Sequence, residues 1–149
     1  YEKQHPDAGG IETIMGKSMS DEDLTNLISW SHTNICSDGA NGGHPRGYGS
    51  FTRILNTYVK EKKALSWEVA IHKMTALTAE HVGIKNRGII APGYYADLVL
   101  LDPQTVKDNS SIQNPKALSD GILKVWVNGE LVYSDKKGQG KFTGEFVGR

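Results

Sequence analysis

The chain has 149 residues, 38% of them hydrophobic and 23% charged, the balance of a soluble globular domain large enough to bury a core. Seventeen basic residues offset seventeen acidic ones, so nothing in the charge points to nucleic acid or to an anionic membrane surface, and no apolar run reaches the length of a membrane span. A single cysteine, Cys36, excludes an internal disulfide framework and fits a reducing, cytoplasmic compartment.

The sequence opens on Tyr1 rather than methionine and reads as a piece of a longer protein; residues 1–17 lack periodicity and read as loop. Ser20 offers an N-cap, Asp23 its capping-box partner, and Asp21 and Glu22 favour the first turn of a helix running to about Trp30. Leu24, Leu27 and Ile28 give that helix one apolar face. Residues 33–37 then read as a short β-strand with Cys36 and Asp38 on one face and Ile35 and Ser37 on the other.

Asp38 opens a loop carrying Gly39, Gly42, Gly43, Gly47 and Gly49, which also concentrates His44, Arg46 and Tyr48 beside the carboxylate. A carboxylate at the C-terminal end of a strand, followed by such a loop, is barrel-enzyme geometry. A surface turn, glycine-rich for conformational reasons, is the competing reading. Phe51, Ile54, Leu55, Tyr58 and Val59 repeat at helical spacing, a core-facing stripe, and the lysines at 60, 62 and 63 read as a solvated helix end. Ser66 caps the next helix, with Trp67, Ala70, Ile71, Met74 and Leu77 on its buried side and Gly83 closing it in the left-handed conformation. His72 and His81 fall on opposite sides of a continuous helix and suit no shared metal.

From Arg87 the period changes. Residues 88–90 and 96–101 read as strands joined by a turn at Pro92 and Gly93, and the run from Leu98 to Leu101 implies burial on both faces. A polar connection follows, and then residues 122–127 and 130–133 flank Asn128 and Gly129, a strong hairpin signal because both turn residues must take positive φ. The glycine-rich tail beyond reads as loop or weak strand.

The motifs SDG, HPRGYGSFTRIL, RGIIAPGYYADLVLLD and VWVNGELVY, in that order and spacing, resemble the C-terminal part of N-acyl-D-amino-acid deacylases, a branch of the metal-dependent amidohydrolase superfamily. The resemblance implies α/β plus β architecture: residues 1–86 as the last part of a (β/α)8 barrel, and residues 87–149 as the C-terminal share of a small β-sandwich. It implies an enzyme that, when full length, uses zinc to release a carboxylic acid and a D-amino acid from an N-acyl-D-amino acid. Left alone, such a fragment exposes apolar edges that recruit other chains, so self-association is expected.

By the same resemblance Asp38 matches the superfamily aspartate beside the metal, the catalytic proton carrier and at most a weak or second-sphere ligand. Such a carboxylate can take a proton from the attacking water and give one to the leaving nitrogen. Arg46 matches the arginine that contacts the substrate carboxylate, a task suited to a planar guanidinium; its alternative role is a salt bridge holding the loop. His44 is either an orienting group in the substrate-binding segment or a loop-packing residue, and Tyr48 reads as packing. The His-X-His and later zinc ligands of the family have no counterpart in this sequence, so the 149 residues alone are expected neither to retain zinc nor to hydrolyse amides. The alternatives are a piece of a cyclic-amide hydrolase of the dihydroorotase or hydantoinase kind, and a non-catalytic assembly module.

Overall fold

A computed structural model describes residues 18–39 and 44–148; the expected loop over residues 1–17, and Gly42 and Gly43, lie outside the described residues. Helices fill the first half of the described chain and a four-stranded antiparallel sheet the second. Helix α1 spans Asp21–Ser29, and its capping box forms as the sequence predicts. The Asp23 amide donates to Ser20 Oγ, while the Ser20 amide and hydroxyl both donate to Asp23 Oδ2. Ile28 packs against the core, but Leu27 on the same predicted face is exposed.

Residues 33–37 form no strand. Ile35 is buried and Cys36 exposed, as the alternation predicts. A strand is defined by its ladder, and the hydrogen bond that the Ile35 amide makes goes to the Lys73 carbonyl of a helix rather than to a neighbouring strand.

The second departure follows directly. Helix α2, Arg46–Arg53, starts five residues before Phe51 and takes Gly47 and Gly49 into its turns, so much of the expected glycine loop is helical. Pro45 occupies its N-cap with helical φ, which pre-sets the chain for the first turn despite the low helix propensity of glycine. The helix then widens into a π-helical segment, Ile54–Glu61, whose last turn donates from the Lys62 amide to the Thr57 carbonyl. Ile54, Leu55, Tyr58 and Val59 are buried, whereas Phe51 is exposed. Nor is the lysine run uniformly solvated, because Lys60 Nζ donates to the Gln104 and Val106 carbonyls.

Ser66 caps α3, Trp67–Met74, by accepting from the Val69 amide. A break at Thr75 separates it from α4, Ala76–Val82, so the continuous helix expected through His72 and His81 is two helices. Both histidines are exposed, as is Ile71 from the predicted apolar side. Gly83 ends α4 at φ 81°, and the Ile84 amide reaches back to the Ala79 carbonyl.

The sheet order is β1 Leu98–Leu101, β2 Ile122–Val127, β3 Glu130–Ser134, β4 Lys137–Gly138. The β2–β3 hairpin turns through Asn128 and Gly129 at φ 51° and 85°, as predicted. Residues 88–90 are not a strand, and Ile90 is 89% exposed. The burial expected for both faces of β1 is absent too: Val99 is 57% and Leu100, on the opposite face, 47% exposed, because no layer of the described residues covers either side chain. The core gathers Ile35, Ile54, Leu55, Tyr58, Val59, Leu65, Ala70 and Val106, and Leu101 and Ile122 at the sheet's inner end pack against it. Asp38 lies three residues beyond Ile35, the part of that core that the segment supplies.

Candidate active site

Asp38 follows residues 33–37 in a left-handed backbone conformation, φ 45°, that a non-glycine residue adopts at a cost. Two features hold it there. Ser37 Oγ accepts from the Gly39 amide, and Gly39 approaches α2 so closely that a Cβ on it would lie 3.3 Å from the Gly47 Cα. On the other side Arg46, the first residue of α2, grips Asp38 at two points: Nε donates to the backbone carbonyl at 2.9 Å and Nη1 stands 3.0 Å from Oδ2.

His44 completes the group. Its Nδ1 accepts from the Arg46 amide at 3.1 Å, so the imidazole acts as a side-chain cap on the first turn of α2. The structure thus brings together the three residues singled out in the sequence, and it gives Arg46 the loop-holding contact that was its alternative role. Tyr48 does not pack in the core; its side chain is exposed. Cys36 is exposed.

The placing of α2 depends on residues that sequence reasoning passed over as a polar connection. Ser110 Oγ lies 3.3 Å from the Pro45 carbonyl, and Ser119 Oγ contacts the Tyr48 carbonyl and the Thr52 hydroxyl. Asp108, with a side chain only 8% exposed, accepts from the Ser110 amide and hydroxyl and lies 3.5 Å from Arg53 Nε. The carboxyl of Asp108 fills the space beside Gly49, which has no side chain to obstruct it. Glycine in the fourth position of a helix, with aspartate and serines in a distant connection, was the available signal, but nothing local tied the two together.

Zinc needs three or more protein ligands. Among the described residues no group of three His, Cys, Asp or Glu side chains comes together, and the Asp38 carboxylate is 72% exposed with one oxygen against Arg46. These residues alone do not fit a zinc site. What they offer is one accessible carboxylate, oriented by an arginine, at the start of a helix.

The sequence profile of the amidohydrolase family matches residues 32–133, a span that includes Asp38, His44, Arg46 and the β2–β3 hairpin. The chain belongs to the amidohydrolase family. Within that family it is 41% identical over 133 residues to the N-acyl-D-aspartate deacylase of Alcaligenes xylosoxydans xylosoxydans, covering 87% of this chain and 26% of the relative. The crystal structure of D-aminoacylase described as defining a novel subset of amidohydrolases matches with a TM-score of 0.85 at 38% identity, over 88% of this chain and 28% of that one. N-acyl-D-glutamate deacylase from Bordetella bronchiseptica, crystallised with zinc and a phosphonate mimic of the tetrahedral intermediate, matches with a TM-score of 0.76 at 37% identity, over 83% of this chain and 27% of the other. This amidohydrolase chain therefore spans about a quarter of the length of the relatives it matches.

Proposed function

We propose that this chain is the C-terminal share of a zinc-dependent amide hydrolase that deacylates N-acyl-D-amino acids to a carboxylic acid and a D-amino acid. In this reading residues 1–86 complete a (β/α)8 barrel, residues 87–149 contribute to a β-sandwich, and the remaining metal ligands come from chain outside these residues. The observation that carries it is the Asp38–Arg46 pair, 3.0 Å apart in a chain 41% identical to a deacylase over 87% of its length.

The chemistry asked of Asp38 is proton traffic. Water attacking an amide carbon must lose a proton, and the departing nitrogen must gain one; a carboxylate within reach of both carries it across. Oδ2 faces Arg46, so Oδ1 is the oxygen for that task. Arg46 spends Nε and one N–H of Nη1 on Asp38, which leaves the rest of the guanidinium for the substrate carboxylate. The second N–H of Nη1 and those of Nη2 can make a two-point grip on that carboxylate while Asp38 stays paired.

The test is turnover of N-acetyl-D-amino acids by the longest natural product that contains this sequence, with metal analysis of the same sample. Asp38→Asn lowers kcat about 10²- to 10⁴-fold. Full activity in that variant would remove Asp38 from the mechanism. The 149 residues by themselves are expected to be inactive and metal-free, and turnover by them that Asp38→Asn abolishes would overturn that expectation.

A further inference from the structure

Lys73 lies on the face of α3 that also carries Ala70 and Met74, and it is 1% exposed. Among the described residues no carboxylate pairs with its ammonium. Nζ instead donates to two backbone carbonyls, those of Trp30 and Thr33, the latter at 2.9 Å. The carbonyl of Lys73 itself accepts from the Ile35 amide at 3.2 Å and from the Thr78 hydroxyl at 2.8 Å. One residue therefore grips residues 30–35 at three points.

Burying an ammonium without a counter-ion is costly, and here burial pushes Lys73 below its ordinary value of 10.5. A leucine or methionine would fill an apolar face without that cost. What the lysine adds is fixation of the two carbonyls that precede Ile35. Beyond Ile35 only Cys36 and Ser37 separate the tethered backbone from Asp38, which is then held from the other side by Arg46.

We infer that Lys73 is a positioning residue for Asp38, acting through residues 30–35 and touching no substrate. The inference rests on the reading of Asp38 as the proton carrier. Lys73→Met keeps the length and apolar stem of the side chain and removes the ammonium.

The direct readout is the ¹⁵N relaxation of the Arg46 Nε–H, which reports the hydrogen bond to the Asp38 carbonyl. Held in place, that group gives a higher order parameter than a free arginine side chain, and in Lys73→Met it falls toward the free value. In the complete enzyme the same variant lowers kcat about 10²-fold with KM little changed, the signature of a displaced reacting group. If Lys73→Met does not fold, Lys73→Gln, which keeps a neutral donor, carries the same two measurements with the same expected direction. An unchanged Arg46 order parameter in the variant that folds reduces Lys73 to a pin for α3 and overturns the inference. The relaxation measurement needs no turnover, so it fails independently of Asp38: activity surviving Asp38→Asn sinks the catalytic reading and leaves the relaxation result standing.

Discussion

Asp38 shows what the site costs at the scale of one residue. Its left-handed backbone disfavours any side chain by about 1 kcal/mol or more, and its exposed pairing with Arg46 returns at most about that amount. Positive φ alone does not single out the site, because Asp135 adopts it too at φ 52°; what sets Asp38 apart is its two-point contact with Arg46. Asp38→Gly distinguishes a functional from a structural role for that contact, because glycine adopts this conformation without penalty. The variant is expected to match the parent in stability to within about 1 kcal/mol in urea denaturation while losing turnover in the complete enzyme. A clearly lower denaturation midpoint would make Asp38 and Arg46 a structural latch instead. Arg46→Lys separates the grip from the charge. Lysine cannot reach a carbonyl and a carboxylate at once in the plane of a guanidinium, so on the proposed deacylase reading KM for the acyl amino acid is expected to rise about tenfold while the denaturation midpoint hardly moves.

Among the elements, α2 contrasts two glycines. At Gly47 an added Cβ would sit 3.4 Å from the Gly39 Cα, an ordinary contact, and alanine there gains up to about 1 kcal/mol in helix propensity. At Gly49 it would fall 2.0 Å from Asp108 Oδ1 and 2.3 Å from Ser110 Oγ, side chains fixed by their own hydrogen bonds. Displacing that pair costs about 1–3 kcal/mol and outweighs the propensity gain. Thermal melts should therefore show Gly47→Ala at or above the parent and Gly49→Ala well below it; equal melting would mean that the connection does not clamp α2. The hairpin offers a pH test. Burial pushes the Asp97 carboxyl up, but the Asn128 amide and the Arg87 guanidinium outweigh it and hold it below the ordinary 3.8. A lowered carboxyl pKa contributes stability fully above that value and loses it as pH falls through the folded one. The parent should thus lose more stability than Asp97→Asn between about pH 4 and pH 2, read from melting midpoints of both proteins. Elements set by local chemistry were legible in the sequence: the Ser20–Asp23 box, the Ser66 cap, the Gly83 stop and the Asn128–Gly129 turn each depend on residues a few positions apart. Residues 33–37, residues 88–90 and the two-sided burial of β1 were not, since strands and buried faces require neighbours that an apolar run does not specify. The start of α2 was hidden by glycines whose reason lies at Asp108, and Lys73 by its charge, although its spacing from Ala70 and Met74 put it on the apolar face.

For the whole molecule, the uncovered surface decides the behaviour in solution. Val99 and Leu100 on the edge strand β1, Leu123 on β2 and the nearly fully exposed Ile90 leave apolar side chains in water beside unpaired backbone groups. Those residues have the apolar sequence of a buried element, and here no second layer of the described chain covers them. An uncharged, apolar edge of this kind invites pairing with another copy, whereas a lysine on the edge resists it. With no net charge there is little long-range repulsion between copies to oppose the encounter. The chain is therefore expected to elute as a dimer or larger species in size-exclusion chromatography with light scattering, in a concentration-dependent manner. Leu100→Lys should shift that equilibrium toward the monomer by placing a charge on β1 at a position already exposed, with the circular dichroism spectrum of the parent retained. A monodisperse monomer for the unsubstituted chain, at concentrations where its sheet is intact, would show that the edge is blunted by the twist of four short strands rather than by a partner.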